Sequence, residues 1–217
     1  MSVITALEVQ KKNKERVNVY LDGEYAFSVD LMTAAALRKG QQLTEAEIAG
    51  LQEQDAVSRA VDQAVRFLSY RPRSVGEIRR NLADKQIPDA VIDAALERLT
   101  RLGYVDDRAF ARYWVENRNT FKPISPRALR YELREKGVAR ADIDAALENL
   151  DAHDAAYRAA RSQARRYRRT TRTTFRNKLG PFLQRRGFDY ETIREVVERL
   201  ITEIETEEPE YFLADEE

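Results

Sequence analysis

Ile92-Asp-Ala-Ala-Leu-Glu-Arg-Leu99 returns as Ile143-Asp-Ala-Ala-Leu-Glu-Asn-Leu150 and, more loosely, as Ile193-Arg-Glu-Val-Val-Glu-Arg-Leu200. In each copy the apolar residues at the first, fifth and eighth places share one helix face, which makes the octapeptide the buried stripe of a helix. The agreement continues upstream. Ile78, Leu129 and Leu179 match, as do Leu82, Leu133 and Leu183, then Ile87, Val138 and Phe188, so the copies are offset by 51 and then 50 residues. A period of this length suits about three short helices per unit.

The physics of one unit is plainest in the second copy. Leu129 and Leu133 stand four apart on one helix face, and Gly137 supplies the left-handed residue that ends that helix. Gly187 matches it in the third copy, whereas the first has Gln86. Ser74 and Ser125-Pro126 are N-cap candidates for the middle helix of their units. Asp106 or Asp107 is the candidate cap for the helix carrying Phe110, Tyr113 and Trp114. Units this small bury too little alone, so the expected fold is mainly α: tandem three-helix-bundle repeats packed into an elongated, curved array.

Ahead of the repeats the pattern changes. Val3 to Val9 and Arg16 to Ser28 alternate as strands do, and Asp22-Gly23 is a two-residue hairpin signal. Lys11, Lys12, Asn13, Lys14 and Glu15 form a polar, mostly basic loop, which suits either phosphate contact or a solvated turn, the turn being preferred. A short helix is expected over Leu31 to Lys39, ending at Gly40. Thr44 and Glu47 form a capping box, and a longer helix runs from Gln52 to Tyr70 before Arg71-Pro72 stops it. The expected organisation is a strand and short-helix element over 1–55, helical repeats over 56–103, 104–150 and 151–202, and an acidic tail over 203–217.

Composition narrows the chemistry. Of 217 residues none is Cys and one is His, which excludes disulfides, thiolate ligands, Cys nucleophiles and most His-based sites. His153 lies beside Asp151 and Asp154, a grouping better read as a helix cap than as a metal site. The adjacent pair Asp106-Asp107 points in different directions on a helix, which suits a cap and not paired catalytic carboxylates. No G-x-x-x-x-G-K stretch exists to cradle phosphate. No cofactor is expected. Neither a long apolar span nor a secretory leader is legible, so the expected location is cytoplasmic, without membrane contact.

Gly103-Tyr-Val-Asp-Asp-Arg-Ala-Phe-Ala-Arg-Tyr-Trp-Val-Glu-Asn-Arg118 resembles the signature of the RecX family of recombination regulators. Leu68-Ser-Tyr-Arg-Pro-Arg-Ser74 is similar to that family's first-repeat motif, and Leu129-Arg-Tyr-Glu-Leu-Arg-Glu-Lys-Gly137 to its second-repeat helix and glycine stop. The likeness runs from about Ala56 to Leu200. It implies a protein without an active site that binds RecA, inserts into the groove of the RecA filament on DNA, and restrains strand exchange and ATP hydrolysis.

Net charge is zero, yet its distribution is uneven. No acidic residue occurs between Ala155 and Phe188, while Arg158, Arg161, Arg165, Arg166, Arg168, Arg169, Arg172, Arg176, Lys178, Arg185 and Arg186 are basic. Such a stretch repels itself unless a polyanion or an acidic protein surface neutralises it. It is therefore the leading candidate for contact with the filament and with single- or double-stranded DNA. Tyr157, Tyr167 and Phe175 interleave with it and suit either base stacking or the third core, the core being preferred. Arg71 and Arg73, with Lys122, Arg127 and Arg130, form a second basic set at the helix junctions, where capping of helix carbonyls is an equal reading. The acidic residues from Glu203 onward read as a frayed tail, or as a competitor for the arginines.

The expected function is that of a monomeric inhibitor of RecA in DNA recombination and repair. The alternative is a DNA-binding helical protein without RecA specificity, since helix-turn-helix readers also use small three-helix units.

Overall fold

Val17 and Val19 alternate with Asn18 and Tyr20, and the two apolar side chains are buried while the polar-side neighbours stay half-exposed. They belong to β2 (Arg16–Leu21), which lies between β1 (Ser2–Val9) and β3 (Glu24–Asp30) in an antiparallel sheet of order β3-β2-β1-β4, with β4 limited to Gln42–Leu43. Asp22 and Gly23 both take positive φ (53° and 93°), the conformation a two-residue hairpin demands. The Asp22 carboxylate also accepts the Val3 N–H at 3.0 Å, tying the turn to β1.

The computed structural model describes residues 1–214. They fall into two units, Met1–Val105 and a second that begins at Asp106. In the first, Asp30 caps α1 (Leu31–Ala35), which is shorter than the expected run to Lys39. Residues beyond it are drawn to the sheet instead: Gly40 N–H donates to the Ile4 carbonyl at 2.8 Å and Ile4 N–H to that of Gln41 at 2.9 Å. The Thr44–Glu47 capping box then opens α2 (Glu45–Leu68), one continuous helix where the sequence suggests two segments. Its first half sets Ile48 and Leu51 against the sheet core, and its second half sets Ala60, Val61 and Ala64 against α3 (Val75–Ala83) and α4 (Asp89–Arg101). The sheet and the first bundle thus share a helix. Asp55, buried where the two meet, is held by Arg16 at 2.8 Å and Arg59 at 3.1 Å.

The second unit contains two bundles. Asp106 caps α5 (Asp107–Phe121), Ser125 with Pro126 starts α6 (Pro126–Glu135), and α7 (Arg140–Leu147) closes the second core of Phe110, Leu129, Leu133, Ile143 and Leu147. Asp151 caps α8 (Ala152–Ala164), a single 3-10 turn covers Arg165–Tyr167, and α9 (Arg172–Arg185) and α10 (Tyr190–Glu207) follow. Their core is built on Phe175, Leu179, Leu183, Val197 and Leu200. Stripe residues of all three copies therefore lie in these cores, with Leu150 and Ile193 half-buried against them, as hydrophobic burial at helical spacing requires.

Backbone geometry repeats as well. Gly137 and Gly187 adopt φ of 81° and 86°, and Gln86 at the matching place adopts 60° despite its side chain. In the first two bundles an ion pair ties the middle helix to the last at equivalent positions, Arg79 with Asp93 and Arg130 with Asp144. In the third those positions hold Gly180 and Arg194, and Pro181 interrupts α9. The Gly-Pro pair is locally consistent, because a Cβ before proline is crowded in a helical backbone.

Candidate nucleic-acid interface

Phe175 decides how the arginine-rich segment is arranged. It is fully buried, and Tyr167, Tyr211 and Phe212 meet its ring edge-on at centroid distances of 6.3, 6.2 and 5.1 Å. Of the interleaved aromatics, Phe175 is thus core, and Tyr157 and Tyr167 are half-buried against it. These rings belong to the bundle and not to a base-stacking platform. The segment between α8 and α9 is left to turn sharply over them. Arg169 takes the left-handed conformation at φ 60°, and its N–H donates to the Tyr211 carbonyl at 2.9 Å. Leu213 N–H donates to the Thr170 carbonyl at 3.1 Å, and the Tyr211 hydroxyl donates to that of Ala164. Residues 208–213 thus form a strap laced to the arginine turn. Burial pushes the Tyr211 phenol up from its usual range.

Much of the arginine charge is met from within the chain. Arg176 forms a two-pronged pair with Glu198 at 2.6 and 2.8 Å, Arg168 reaches Glu208 at 2.8 Å, and Arg172 pairs with Glu205. Arg161 lies 3.8 Å from Glu203 and 3.7 Å from Glu207. Arg158 pairs with Asp154 at 2.9 Å and donates to the Asn119 carbonyl at 2.8 Å, a contact between the third bundle and the second. The Arg176 guanidinium holds the Glu198 carboxyl below its usual range, and the Tyr157 hydroxyl, aided by Arg199, does so for Glu203. Sequence reading offers the acidic residues from Glu203 onward as a competitor for the arginines, second to a frayed tail, and does not single out Glu198. The signal for the α10 carboxylates is present nonetheless, since α10 keeps its apolar stripe through Leu200, Ile201 and Ile204 while its other positions turn acidic.

Arg165, Arg166 and Arg169 are different. All three are exposed, and their side chains have no partner among the described residues. Arg186, by contrast, donates to the Pro123 carbonyl at 2.7 Å and lies over the Phe182 ring, so it stitches the third bundle to the second. Burial there lowers its proton affinity.

The junction set divides in the same way. In the first unit Arg71 clamps Glu77 at 2.7 and 3.2 Å and donates to the Pro72 carbonyl. Arg73 is packed 3.9 Å over the Phe67 ring with a side chain only 16% exposed. Burial, then repulsion from Arg71, lowers its proton affinity. In the second unit Arg130 is committed to Asp144, whereas Lys122 and Arg127 are exposed without a partner among the described residues. The second unit therefore brings the α8–α9 arginines together around α10 and keeps Arg130 in the helix clamp of the bundle before it. Trp114 is half-buried, donates to Glu132 at 2.7 Å and has Lys136 and Arg118 over its ring, so it serves its own bundle. Asp151 receives the His153 and Asp154 N–H groups as a cap, while the His153 ring lies 3.5 Å from Glu195. Among the described residues no helix is long and apolar enough to cross a membrane.

Comparison with known proteins gives one answer along the chain. Residues 2–44 match the regulatory protein RecX N-terminal domain, and residues 60–99, 106–147 and 151–197 match the first, second and third three-helix domains of RecX. A regulatory protein RecX of Bacillus pumilus is 35% identical over 97% of this chain and 82% of its own. A crystal structure of regulatory protein RecX superposes with a TM-score of 0.71 at 29% identity, covering 90% of this chain and 98% of that one. RecX from Lactobacillus salivarius shares the fold, with a TM-score of 0.58 at 22% identity over 68% of this chain and 98% of its own.

Proposed function

The chain belongs to the RecX family of regulatory proteins, and on that premise we propose that it binds RecA filaments and the DNA they carry, slowing strand exchange and ATP hydrolysis. The observation that carries the DNA half of this reading is the turn at Arg165, Arg166 and Arg169, three exposed guanidinium groups on a backbone fixed by the strap. Guanidinium groups suit phosphate oxygens in geometry and charge, and each phosphate they neutralise releases counterions. Arg158, Arg161, Arg168, Arg172 and Arg176 stand behind the turn, already paired, while Lys122 and Arg127 extend the basic surface into the second bundle. Arg71, Arg73 and Arg130 serve their own helices first and carry less of the contact. The protein acts as a monomer in the cytoplasm, where recombinase and DNA are found, and regulates without a catalytic step of its own.

RecA ATP hydrolysis on single-stranded DNA tests the whole reading. Adding the purified protein at or below the RecA concentration slows hydrolysis, and unchanged hydrolysis would overturn the recombinase half. Replacing Arg165, Arg166, Arg168 and Arg169 with Ser weakens filament or DNA association about tenfold or more while helical content by circular dichroism stays intact. Inhibition retained by that variant would move the contact surface elsewhere. High affinity for particular DNA sequences without RecA would favour the general DNA-binding alternative.

A further inference from the structure

Four of the arginines nearest the turn face carboxylates of α10 and the strap: Arg161 with Glu203 and Glu207, Arg168 with Glu208, Arg172 with Glu205, and Arg176 with Glu198. Tyr211 and Leu213, just beyond Glu208, are held to the same turn by backbone bonds to Arg169 and Thr170. Between Arg161 and Arg165 on one wall and Glu203, Glu207 and Glu208 on the other lies a cleft of about 160 Å³, with Tyr211 among the residues lining it. Carboxylate and phosphate compete for the same guanidinium geometry, so every arginine held here is withdrawn from a polyanion.

We propose that the acidic end of α10 and its strap are a built-in competitor for the nucleic-acid backbone. Arg165, Arg166 and Arg169 make first contact with phosphate, and fuller engagement exchanges Glu205, Glu207 and Glu208 for phosphates on Arg172, Arg161 and Arg168. Exposed pairs suit this exchange. The side chains of Arg168 and Glu208 are 61% and 48% exposed, so their pairing contributes little and is easily given up. The consequence is a threshold: weak binding to scattered, free nucleic acid, and strong binding only where phosphates are dense and ordered along a filament. This inference rests on the DNA-contact reading of the arginine turn.

The test measures binding of the full chain to fluorescein-labelled oligothymidine by anisotropy across a salt series. Replacing Glu205, Glu207 and Glu208 with Gln, which keeps shape and hydrogen-bonding ability, raises affinity about tenfold and steepens the salt dependence by roughly one released counterion per freed arginine. A control carrying Glu24→Gln, Glu53→Gln and Glu97→Gln changes net charge equally, far along the chain, and shows a smaller gain. Glu208→Gln alone gives an intermediate gain, and keeps the test open should the triple variant misfold. If R165S/R166S/R169S binds less tightly while the α10 variants match the control, the competitor is overturned and the DNA contact stands. If the arginine variant binds as well as the unaltered protein, the contact reading falls and the competitor with it.

Discussion

In the second bundle Arg130 on α6 reaches Asp144 on α7 at 3.0 Å, and the last helix carries its charge close to neutral. At the matching places of the third bundle Gly180 and Arg194 form no such clamp among the described residues, and the helix tie moves to Arg176 and Glu198. The two bundles share helix order and core stripe. What differs is the source of cohesion across the surface. The second is closed by separate pairs between neighbouring helices, Arg118 with Glu132 and Arg130 with Asp144, whereas the third separates a basic pair of helices from an acidic helix and relies on the attraction between them. A segregated surface of this kind is only partly self-satisfied, and it is the arrangement that a polyanion can enter.

The largest loss is expected at Phe175, whose ring anchors both the arginine turn and the strap. Phe175→Ala should cost about 3–5 kcal/mol and expose the turn to proteolysis, while the second bundle keeps its slow amide exchange. Loss of protection in both bundles together would show that they unfold as one.

A smaller effect is expected at Gly187, where the two bundles touch. It sits at φ 86°, and a Cβ there would lie 2.6 Å from Ser125 Oγ and 3.0 Å from Ala128 Cβ. Gly187→Ala should therefore cost about 2–3 kcal/mol in denaturant unfolding. Gly103→Ala, at φ 75° with open space around it, should cost only about 1 kcal/mol. Equal losses would mean that the junction yields readily.

Grafting the second bundle's clamp sharpens the contrast further. Gly180→Arg, Pro181→Ala and Arg194→Asp together should raise stability by about 2 kcal/mol, mostly by removing glycine and proline from a helix interior. The surface pair itself adds a few tenths of that. The least effect is expected in the first bundle, where Gln86→Gly should stabilise by roughly 0.5 kcal/mol by relieving left-handed strain, against the greater freedom of glycine when unfolded. A loss of stability on this change would mean the Gln86 side chain makes a contact of its own.

Stripe spacing alone makes the three bundles legible, and the matched caps at Ser74, Ser125 and Asp106 are legible too because a side-chain cap acts within three residues. Local pattern overextends the short helix after β3, because its last residues are claimed by β1, a partner some 35 residues earlier that local propensity does not register. Among the candidate site residues, the arginines are visible as a run, but a run does not reveal which are spoken for. Arg73 and Arg186 prove to be packing groups, and Glu203, Glu205, Glu207 and Glu208, which read as the start of a tail, meet the run from the last helix and the strap. Of that acidic stretch, Asp215, Glu216 and Glu217 lie outside the described residues.

The number of bundles, their order and their cores follow from local pattern, because periodic burial and capping are set by neighbours three or four residues apart. Which charges remain open among the described residues is set by the packing of helices far apart in the chain. Ion pairing depends on which distant helix lies across the groove, and no local pattern carries that distance.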